Sequence, residues 1–453
     1  MIRSMLQDKH FFRVLTAIGI PVAIQHVITS SLNLVDVVMI GQINAVSITA
    51  VGLANQLFFV FSLLLFGINS GGAIFVAQFW GRRDLENIHK SLGVALLLSV
   101  AGGLMFTVIS VLFPEWFMRL LSNDDEAIRL GVEYLRIVGL SYLATAVSIT
   151  LSSASRSVGD ARLPMRASIL SLGVNTGLNA VLIFGLLGFP AMGVKGAALA
   201  TLVARGLECL ILTVTIFTSL HPLRAKGHQY FRFSRAFARR ILQKSFPVMA
   251  NEFLWAIGMT LYVAAYARMG TQAYAAVQIS QTVEKLFFVA AMGIGHAAAV
   301  MIGNLLGENR REEAIRYSRY FNLLTIFFGI VLAVFLLVTA PAIARFFNVD
   351  EQVRADAVKV MAVFAFFLTI KMCNALQVIG TLRGGGDTTY SLMMEISSVY
   401  LVGVPMAFLA TTYWQLPIYV VVALVHLEEV TKAIVGFRRL FSNKWASNII
   451  EGM

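Results

Sequence analysis

The sequence predicts an all-α integral membrane protein with twelve transmembrane helices in two parallel six-helix bundles related by a pseudo-twofold axis. Composition, long apolar segments and an internal repeat predict this fold class. Of the 453 residues, 58% are hydrophobic and only 13% are charged, whereas a soluble domain carries about 25% charged residues. Too few charged residues are present to cover a water-facing surface, which indicates a chain that lies in lipid.

Long uncharged segments indicate helices that cross the membrane. Leu92 to Phe113 and Leu323 to Ala340 contain no charged residue, and a segment of about 20 residues matches a hydrocarbon core of about 30 Å. Backbone polar groups in lipid must pair within the segment, which favours helices, and the alternation typical of barrel strands is not visible. The predicted helices are 12–41, 48–78, 91–113, 129–155, 165–188, 193–219, 239–267, 273–304, 320–340, 357–381, 387–411 and 415–436.

The distribution of basic residues predicts the orientation. The net charge is +12, and most Lys and Arg outside the spans fall on the side that carries both termini. The positive-inside rule places that side in the cytoplasm. We therefore predict a multi-pass inner (plasma) membrane protein whose basic residues contact the lipid bilayer and not nucleic acid.

The two halves of the chain repeat each other at an offset of 226 or 227 residues. The matching positions are Pro21 with Pro247, Gly67 with Gly293, Gly81 with Gly307, and Arg156-x-x-Gly159-Asp160 with Arg383-x-x-Gly386-Asp387. Six helices in each half give both halves the same orientation. The predicted organisation is an N-terminal lobe at 1–220, a cytoplasmic linker at 221–234 and a C-terminal lobe at 235–453. Two similar bundles suit alternating access in a transporter.

Other functional classes lack their signals. Cys209 and Cys373 both lie in predicted helices, so a disulfide framework is not expected, and the short charged N-terminus predicts no cleavable signal. The sequence contains no nucleophile elbow, no P-loop and no metal-ligand spacing of His. We therefore expect no enzyme activity and no cofactor, and transport driven by an H⁺ or Na⁺ gradient.

Polar residues inside the first half predict an ion site, because ionisable groups in a membrane helix are costly. Asp36 ends a stripe that Gln25, Thr29 and Asn33 share on one face of helix 1. In a second interpretation, Asp36 reaches interfacial water about one turn from the helix end.

Helix 5 adds Ser171, Asn175 and Asn179 at spacings of four, and helix 6 adds Thr201. Amide side chains coordinate cations or bond carboxyl groups, but they also join helices in membranes. The predicted cation or proton coupling site comprises Asp36, Asn33, Asn175, Asn179 and Thr201, with no metal beyond Na⁺ at Asp36.

The second half carries a different set of polar residues. Helix 7 places Glu252 on one face with four large side chains, Trp255, Met259, Tyr262 and Tyr266. An acid beside aromatic rings and Met suits an amphipathic organic cation. A packed aromatic stripe is the alternative.

Helices 8 and 10 add further polar residues, among them Lys371, which needs a partner. The sequence leaves two candidates for that partner, Glu252 and Glu284. The resulting ion pair is either structural or one that breaks and forms again during transport. The predicted substrate-binding residues are Glu252, Trp255, Met259, Tyr262, Gln278, Gln281, Glu284, Lys371 and Asn374. The mixed-sign groups Arg205 with Glu208, and Glu428 and Glu429 with Lys432, predict structural locks.

At these residues the sequence resembles the multidrug and toxic compound extrusion (MATE) family over nearly its whole length. The motifs that carry the resemblance are Asp36-x-x-Met39-Ile40-Gly41, Gln78-x-x-Gly81, Arg156-x-x-Gly159-Asp160 with its copy at Arg383, and Asn175-x-x-Leu178-Asn179. The resemblance implies a V-shaped pair of six-helix lobes that exports cationic, lipophilic compounds in exchange for Na⁺ or H⁺.

The resemblance also implies roles for single residues. Asp36 matches the helix 1 acid of the family, and Asn175 and Thr201 match its N-lobe polar cluster. Asn179 stands where many members have Asp. Glu252 resembles the helix 7 acid of the sodium-coupled branch, whereas Asn374 stands where that branch has a second acid. The resemblance therefore places coupling at Asp36.

Other transport functions make different demands on the sequence. A lipid-linked oligosaccharide flippase or a polysaccharide exporter of the same broad superfamily would be expected to line its cavity with Arg or Lys, and basic residues within the spans are few here. The two halves carry different polar residues within their spans, and this asymmetry disfavours a channel. We expect small-molecule organic cations as substrates and a monomeric protein.

Overall fold

The computed structural model describes residues 2–347 and 349–453, without the side chains of residues 2, 30, 32–34, 37 and 45. Every regular element in this part of the chain is a helix, which confirms the all-α membrane class. The helices are α1 (Ile2–Gln7), α2 (Lys9–Gly41), α3 (Ala45–Gly81), α4 (Leu85–Leu112), α5 (Pro114–Leu121), α6 (Asp125–Val138), α7 (Ser141–Ser157), α8 (Arg162–Phe184), α9 (Val194–Thr218), α10 (Gly227–Tyr230), α11 (Arg235–Ala267), α12 (Thr271–Gly307), α13 (Arg311–Ala344), α14 (Glu351–Ala375), α15 (Thr388–Ser398), α16 (Val404–Phe408), α17 (Ile418–Val425) and α18 (Leu427–Phe441).

Among the described residues, ten helical spans are long and apolar enough to cross a membrane. The predicted span 129–155 is divided into α6 and α7, which meet at an angle of 53° and together make an eleventh span. The predicted span 415–436 corresponds to α17 and α18, which are separated at His426. This last pair carries Glu428, Glu429 and Lys432, so its composition is less apolar than that of the other spans.

The internal repeat is visible in the backbone as well as in the sequence. Gly159 and Gly386 both have positive φ, at +91° and +76°, a conformation that glycine adopts readily. The following residues close the same turn, since the amide of Asp160 donates to the Ser155 carbonyl and that of Asp387 donates to the Leu382 carbonyl, at 2.9 and 2.8 Å. The two copies of the motif therefore terminate their helices in the same way.

The chain divides into two compact units. The N-terminal unit contains residues 24–249 and Met453, and the C-terminal unit contains residues 2–23 and the described residues of 250–452. These boundaries divide α2 and α11 and do not follow the linker at 221–234. The predicted lobes at 1–220 and 235–453, and their pseudo-twofold relation, stay predictions.

Close helix contacts account for the division of α2 and α11. In the C-terminal unit, a Cβ added to Gly293 on α12 would lie 3.1 Å from the Cβ of Ala23 on α2. In the N-terminal unit, a Cβ added to Gly67 on α3 would lie 2.6 Å from the Cα of Met249 on α11. Small residues let membrane helices approach closely. The first part of α2 therefore packs against Gly293, and the end of the first part of α11 packs against the repeat-related Gly67.

Candidate functional site

Three helices bring four of the predicted coupling residues together in the N-terminal unit. Asp36 lies on α2, Asn175 and Asn179 lie on α8, and Thr201 lies on α9. Asp36 is 7% exposed, and both asparagines are fully buried. The side chain of Asn33 lies outside the described part of the structure. The interpretation that Asp36 reaches interfacial water does not fit its burial.

A chain of amide hydrogen bonds holds the Asp36 carboxylate. Asn179 Nδ2 donates to Asp36 Oδ1 at 2.5 Å and to Asn175 Oδ1 at 3.1 Å. Asn175 Nδ2 then donates to Thr201 Oγ1 at 3.4 Å. Buried polar groups are normally hydrogen-bonded, yet Asn179 Oδ1 has no partner in this structure. A carboxylate therefore lies beside an amide whose acceptor oxygen is vacant.

Two residues that the sequence analysis did not connect with Asp36 lie close to it. Tyr134 on α6 is 3% exposed and interacts electrostatically with Asp36 and with the Thr201 hydroxyl. Arg205 on α9 also interacts with Asp36, while it forms an ion pair with Glu208 at 3.1 Å. Tyr134 lies on the buried, otherwise apolar face of α6, so the spacing of polar residues gave no signal for it.

The polar stripe predicted on helix 1 does not act as one group. Gln25 donates to Ser168 Oγ at 3.2 Å and accepts from Arg156 Nη1 at 3.0 Å. The Thr29 hydroxyl donates to the Gln25 carbonyl one turn earlier in the same helix. Only Asp36, among the described polar side chains of the stripe, bonds to Asn179.

Two ion pairs organise the polar residues of the C-terminal unit. Arg383 Nη2 contacts Glu252 Oε1 at 2.6 Å, and Arg383 is only 2% exposed. Lys371 Nζ contacts Glu284 Oε1 at 2.8 Å. Of the two partners left open for Lys371, the structure places Glu284 there and gives Glu252 to Arg383.

The helix 7 stripe separates into two environments. Glu252 and Trp255 are partly exposed on α11, and Met259, also partly exposed, packs against the edge of the apolar core. Tyr262 and Tyr266, farther along the same helix, are buried in the apolar core of the C-terminal unit. The Tyr262 hydroxyl donates to Glu428 Oε2 on α18. The described contacts therefore tie Tyr262 to α18 and Glu252 to Arg383.

The other predicted substrate residues are distributed over α12 and α14. Gln278 donates to the Tyr274 hydroxyl on its own helix, and Gln281 is partly exposed. Asn374 Nδ2 donates to both the carbonyl and the Oε2 of Glu429, at 2.8 and 2.7 Å. Asn374 is thus bound to α18 and is itself 3% exposed.

The hydrogen bonds around the two arginines are repeated in part in the two units. In the N-terminal unit Gln25 donates to Ser168 and accepts from Arg156. At the repeat-related positions of the C-terminal unit, Asn251 donates to Glu395 Oε2 at 2.6 Å, whereas Arg383 donates to Glu252, the residue after Asn251. The repeat therefore extends to one buried side-chain contact, while the partner of the arginine has shifted by one residue.

The Asp36 site offers a buried carboxylate surrounded by amide and hydroxyl groups. In the described residues no group of three His, Cys, Asp or Glu side chains is arranged to hold a metal ion. The carboxylate of Asp36 and the amide and hydroxyl oxygens beside it are hard oxygen donors, the kind of ligand that hard metal cations prefer.

Comparison with known proteins identifies the family. The MatE family model matches residues 21–181 and 247–409, which together make up more than half of the chain. The probable multidrug resistance protein NorM of Thermotoga maritima is 26% identical over 405 residues, covering 89% of this chain and 86% of its own. The probable multidrug resistance protein YoeA of Bacillus subtilis is 24% identical, covering 88% and 87%.

Solved structures share the fold. A crystal structure of MATE in complex with MaL6 superposes with a TM-score of 0.87 at 23% identity, covering 95% of this chain and 96% of the other. A MOP superfamily transporter from Pyrococcus furiosus superposes with a TM-score of 0.85 at 22% identity, with the same coverage. These likenesses agree with the family match and with the all-helical fold. The chain therefore belongs to the MATE family of multi-pass inner-membrane efflux transporters and is not an enzyme.

Proposed function

We propose that this transporter exports cationic, lipophilic compounds in antiport with H⁺ or Na⁺, and that Asp36 is the coupling carboxylate. The observation that carries the proposal is the buried Asp36–Asn179 hydrogen bond beside the vacant Asn179 Oδ1. A carboxylate in a dry site binds a proton or a cation to offset its charge. Loading and release of that ion would bias the conformational equilibrium of the transporter.

The charge balance of the buried groups supports a cationic substrate. In the described part of the C-terminal unit, Arg383, Lys371 and Lys432 each contact a carboxylate. These pairs leave no surplus of positive charge for a large anionic lipid. The partly exposed Glu252, Trp255 and Met259 offer an acid and an aromatic ring to an organic cation. The names of the curated relatives, which describe multidrug resistance, agree with this substrate class.

The orientation and oligomeric state follow from the same proposal. Both termini lie in the cytoplasm, as the loop charges predict, and one chain with its two units makes a complete transporter. Blue-native electrophoresis of protein in mild detergent, with protease access to each terminus in inverted vesicles, tests these two points.

The coupling ion is tested with purified protein in liposomes. Efflux of ethidium, a fluorescent lipophilic cation, is followed under an imposed H⁺ gradient and, separately, an imposed Na⁺ gradient. The proposal expects accelerated efflux under at least one gradient, with collapse of the effect by the matching ionophore. Equal ethidium flux with and without both gradients contradicts ion-coupled antiport.

A further inference from the structure

The C-terminal unit contains a second buried carboxylate cluster that the proposed coupling at Asp36 does not use. Lys432 Nζ on α18 contacts Glu428 Oε1 at 3.2 Å and Glu429 Oε1 at 3.4 Å. The three side chains are 4%, 6% and 3% exposed for Glu428, Glu429 and Lys432. One ammonium group thus lies between two carboxylates, and all three side chains are buried.

This cluster occupies the positions that repeat the Asp36 site. Tyr262 follows Asp36 by 226 residues, Glu428 follows Thr201 by 227, and Lys432 follows Arg205 by 227. In the N-terminal unit Asp36 interacts with Thr201 and Arg205. In the C-terminal unit the Tyr262 hydroxyl donates to Glu428, which contacts Lys432. The carboxylate has moved from the first helix of the repeat to the last one, and the contact between these two helices, Asp36 with Thr201 and Tyr262 with Glu428, is present in both units.

A vacant acceptor marks the second cluster, as it marks the first. Asn374 donates through Nδ2 to Glu429 Oε2 at 2.7 Å, and its own Oδ1 is buried without a hydrogen-bond partner. Asn179 has the same arrangement beside Asp36. A buried acceptor without a donor points to a missing hydrogen-bond donor or cation at that place.

The groups that face this cluster leave an excess of negative charge. The titratable neighbours are Lys371 on α14, Glu284 on α12, Glu395 on α15, His426 before α18, and Tyr262 and Tyr266 on α11. With Glu428, Glu429 and Lys432 included, four carboxylates face two lysines. The pair of Glu252 and Arg383 is balanced by itself, and a protonated His426 would offset only one of the two excess charges.

A proton neutralises such a cluster more readily than a metal ion does. The Lys432 ammonium already lies against both carboxylates and repels a further metal cation. Two carboxylates that share a site repel each other, and with four carboxylates facing two lysines this repulsion favours proton uptake by one of them.

We propose that Glu428 and Glu429 form a second proton-binding site, repeat-related to the Asp36 site, in which one of the two carboxylates carries a proton while the other is paired with Lys432. The role of this site in coupling rests on the proposed function, but the protonation of the site can be measured without transport. When the proton leaves, Lys432 remains as the counter-charge for both carboxylates.

Infrared difference spectroscopy of purified protein in lipid nanodiscs tests the site. Spectra taken in mildly alkaline and mildly acidic buffer report the C=O stretch of carboxylic acids that gain a proton. We expect Glu428→Gln and Glu429→Gln each to lose a carboxyl band that Asp36→Asn and the exposed-surface control Glu312→Gln retain. Either Gln variant leaves one carboxylate paired with Lys432, so the fold should persist. An unchanged spectrum in both Gln variants overturns the proposal.

A third variant tests the site without changing either carboxylate. Lys432→Met removes the cation between the carboxylates, so the same band should appear in more alkaline buffer than in the wild type. A band whose pH dependence does not change contradicts the proposal. If the carboxyl bands change as expected but neither ion gradient accelerates ethidium efflux, the proton-binding site is supported and the proposed antiport is contradicted. If the bands do not change but an ion gradient accelerates efflux, the second site is contradicted and antiport through Asp36 is retained.

Discussion

Asn179 donates one amide hydrogen to Asp36 and the other to Asn175, so a single side chain on α8 fixes the carboxylate of α2. Both donors of the amide are used and its oxygen is not. This arrangement holds the carboxylate in a defined position while it leaves an acceptor beside it for an incoming ion.

Replacement of Asn179 tests this arrangement. Asn179→Leu removes the donor to Asp36, and a hydrogen bond to a charged group contributes about 1.5–3 kcal/mol. We therefore expect the concentration of coupling ion required for half-maximal ethidium export to change by about tenfold or more. Asn175→Leu is the matched control, because Asn175 has no direct bond to Asp36, and its effect should be smaller. Equal effects of the two substitutions would indicate that only packing has changed.

Glu252 is tested by its response to substrate charge. If Glu252 and the adjacent aromatic side chain contact cationic substrates, Glu252→Gln weakens the binding of cations more than that of neutral analogues of the same shape. Tryptophan fluorescence titration with a matched pair of ligands measures both affinities. Equal losses for the two ligands assign Glu252 a structural role.

The Glu252–Arg383 pair also predicts an effect on stability. Removal of one partner of a buried ion pair leaves an uncompensated charge, which costs about 3–5 kcal/mol. Glu252→Gln should therefore lower the thermal unfolding temperature of the purified protein, and the double variant Glu252→Gln with Arg383→Gln should recover most of the loss. A double variant less stable than the single one would show that Arg383 does not depend on Glu252.

The Lys371–Glu284 pair should give a weaker coupling. The Lys371 side chain is 27% exposed, so its charge is partly solvated, and we expect Glu284→Gln to cost about 1–3 kcal/mol. A double-mutant cycle with Lys371→Met isolates the interaction. Lys285→Met, at an exposed neighbouring position on α12, provides the control. Strictly additive single effects of Glu284→Gln and Lys371→Met would contradict the pair.

Glycine substitutions test the repeated helix contacts. Gly67→Ala places a Cβ 2.6 Å from the Met249 backbone, and overpacking of this kind costs about 1–3 kcal/mol. Gly206→Ala on α9 meets no atom within 4 Å, and the higher helix propensity of alanine should stabilise it slightly. Thermal unfolding of the two variants should therefore shift in opposite directions. A Gly67→Ala protein as stable as the wild type would contradict the close approach.

The sequence predicts most of the fold because lipid imposes simple rules. A helix must satisfy its own backbone and must be long enough to span the membrane, so apolar length alone locates the spans. The repeat followed from glycine and proline positions such as Gly67 and Gly293, which the structure shows in matching helix contacts. The bend between α6 and α7, at Gly139, and the break at His426, just before Glu428 and Glu429, were not predicted, because apolar length alone does not show where a span bends.

The candidate site was predictable only in part. Polar residues at spacings of three and four identified Asp36, Asn175 and Asn179, because the energetic cost of polar groups in lipid makes them rare. Spacing identifies the face of a helix but not the neighbour that it meets. Tyr262 shares a predicted face with Glu252 yet lies in the apolar core, and the choice of Glu284 as the partner of Lys371 required the packing of α12 against α14.

Ethidium export by Asp36→Asn protein is the most direct test of the account. Wild-type and variant are reconstituted at matched protein levels, with Glu312→Gln as a control at an exposed position, and efflux is measured under imposed H⁺ and Na⁺ gradients in turn. Asp36→Asn roughly preserves side-chain volume and removes the charge. We expect it to abolish gradient-driven export while thermal unfolding and ethidium binding remain. If Asp36→Asn exports at the wild-type rate under both gradients, coupling lies elsewhere and Glu252 becomes the leading candidate.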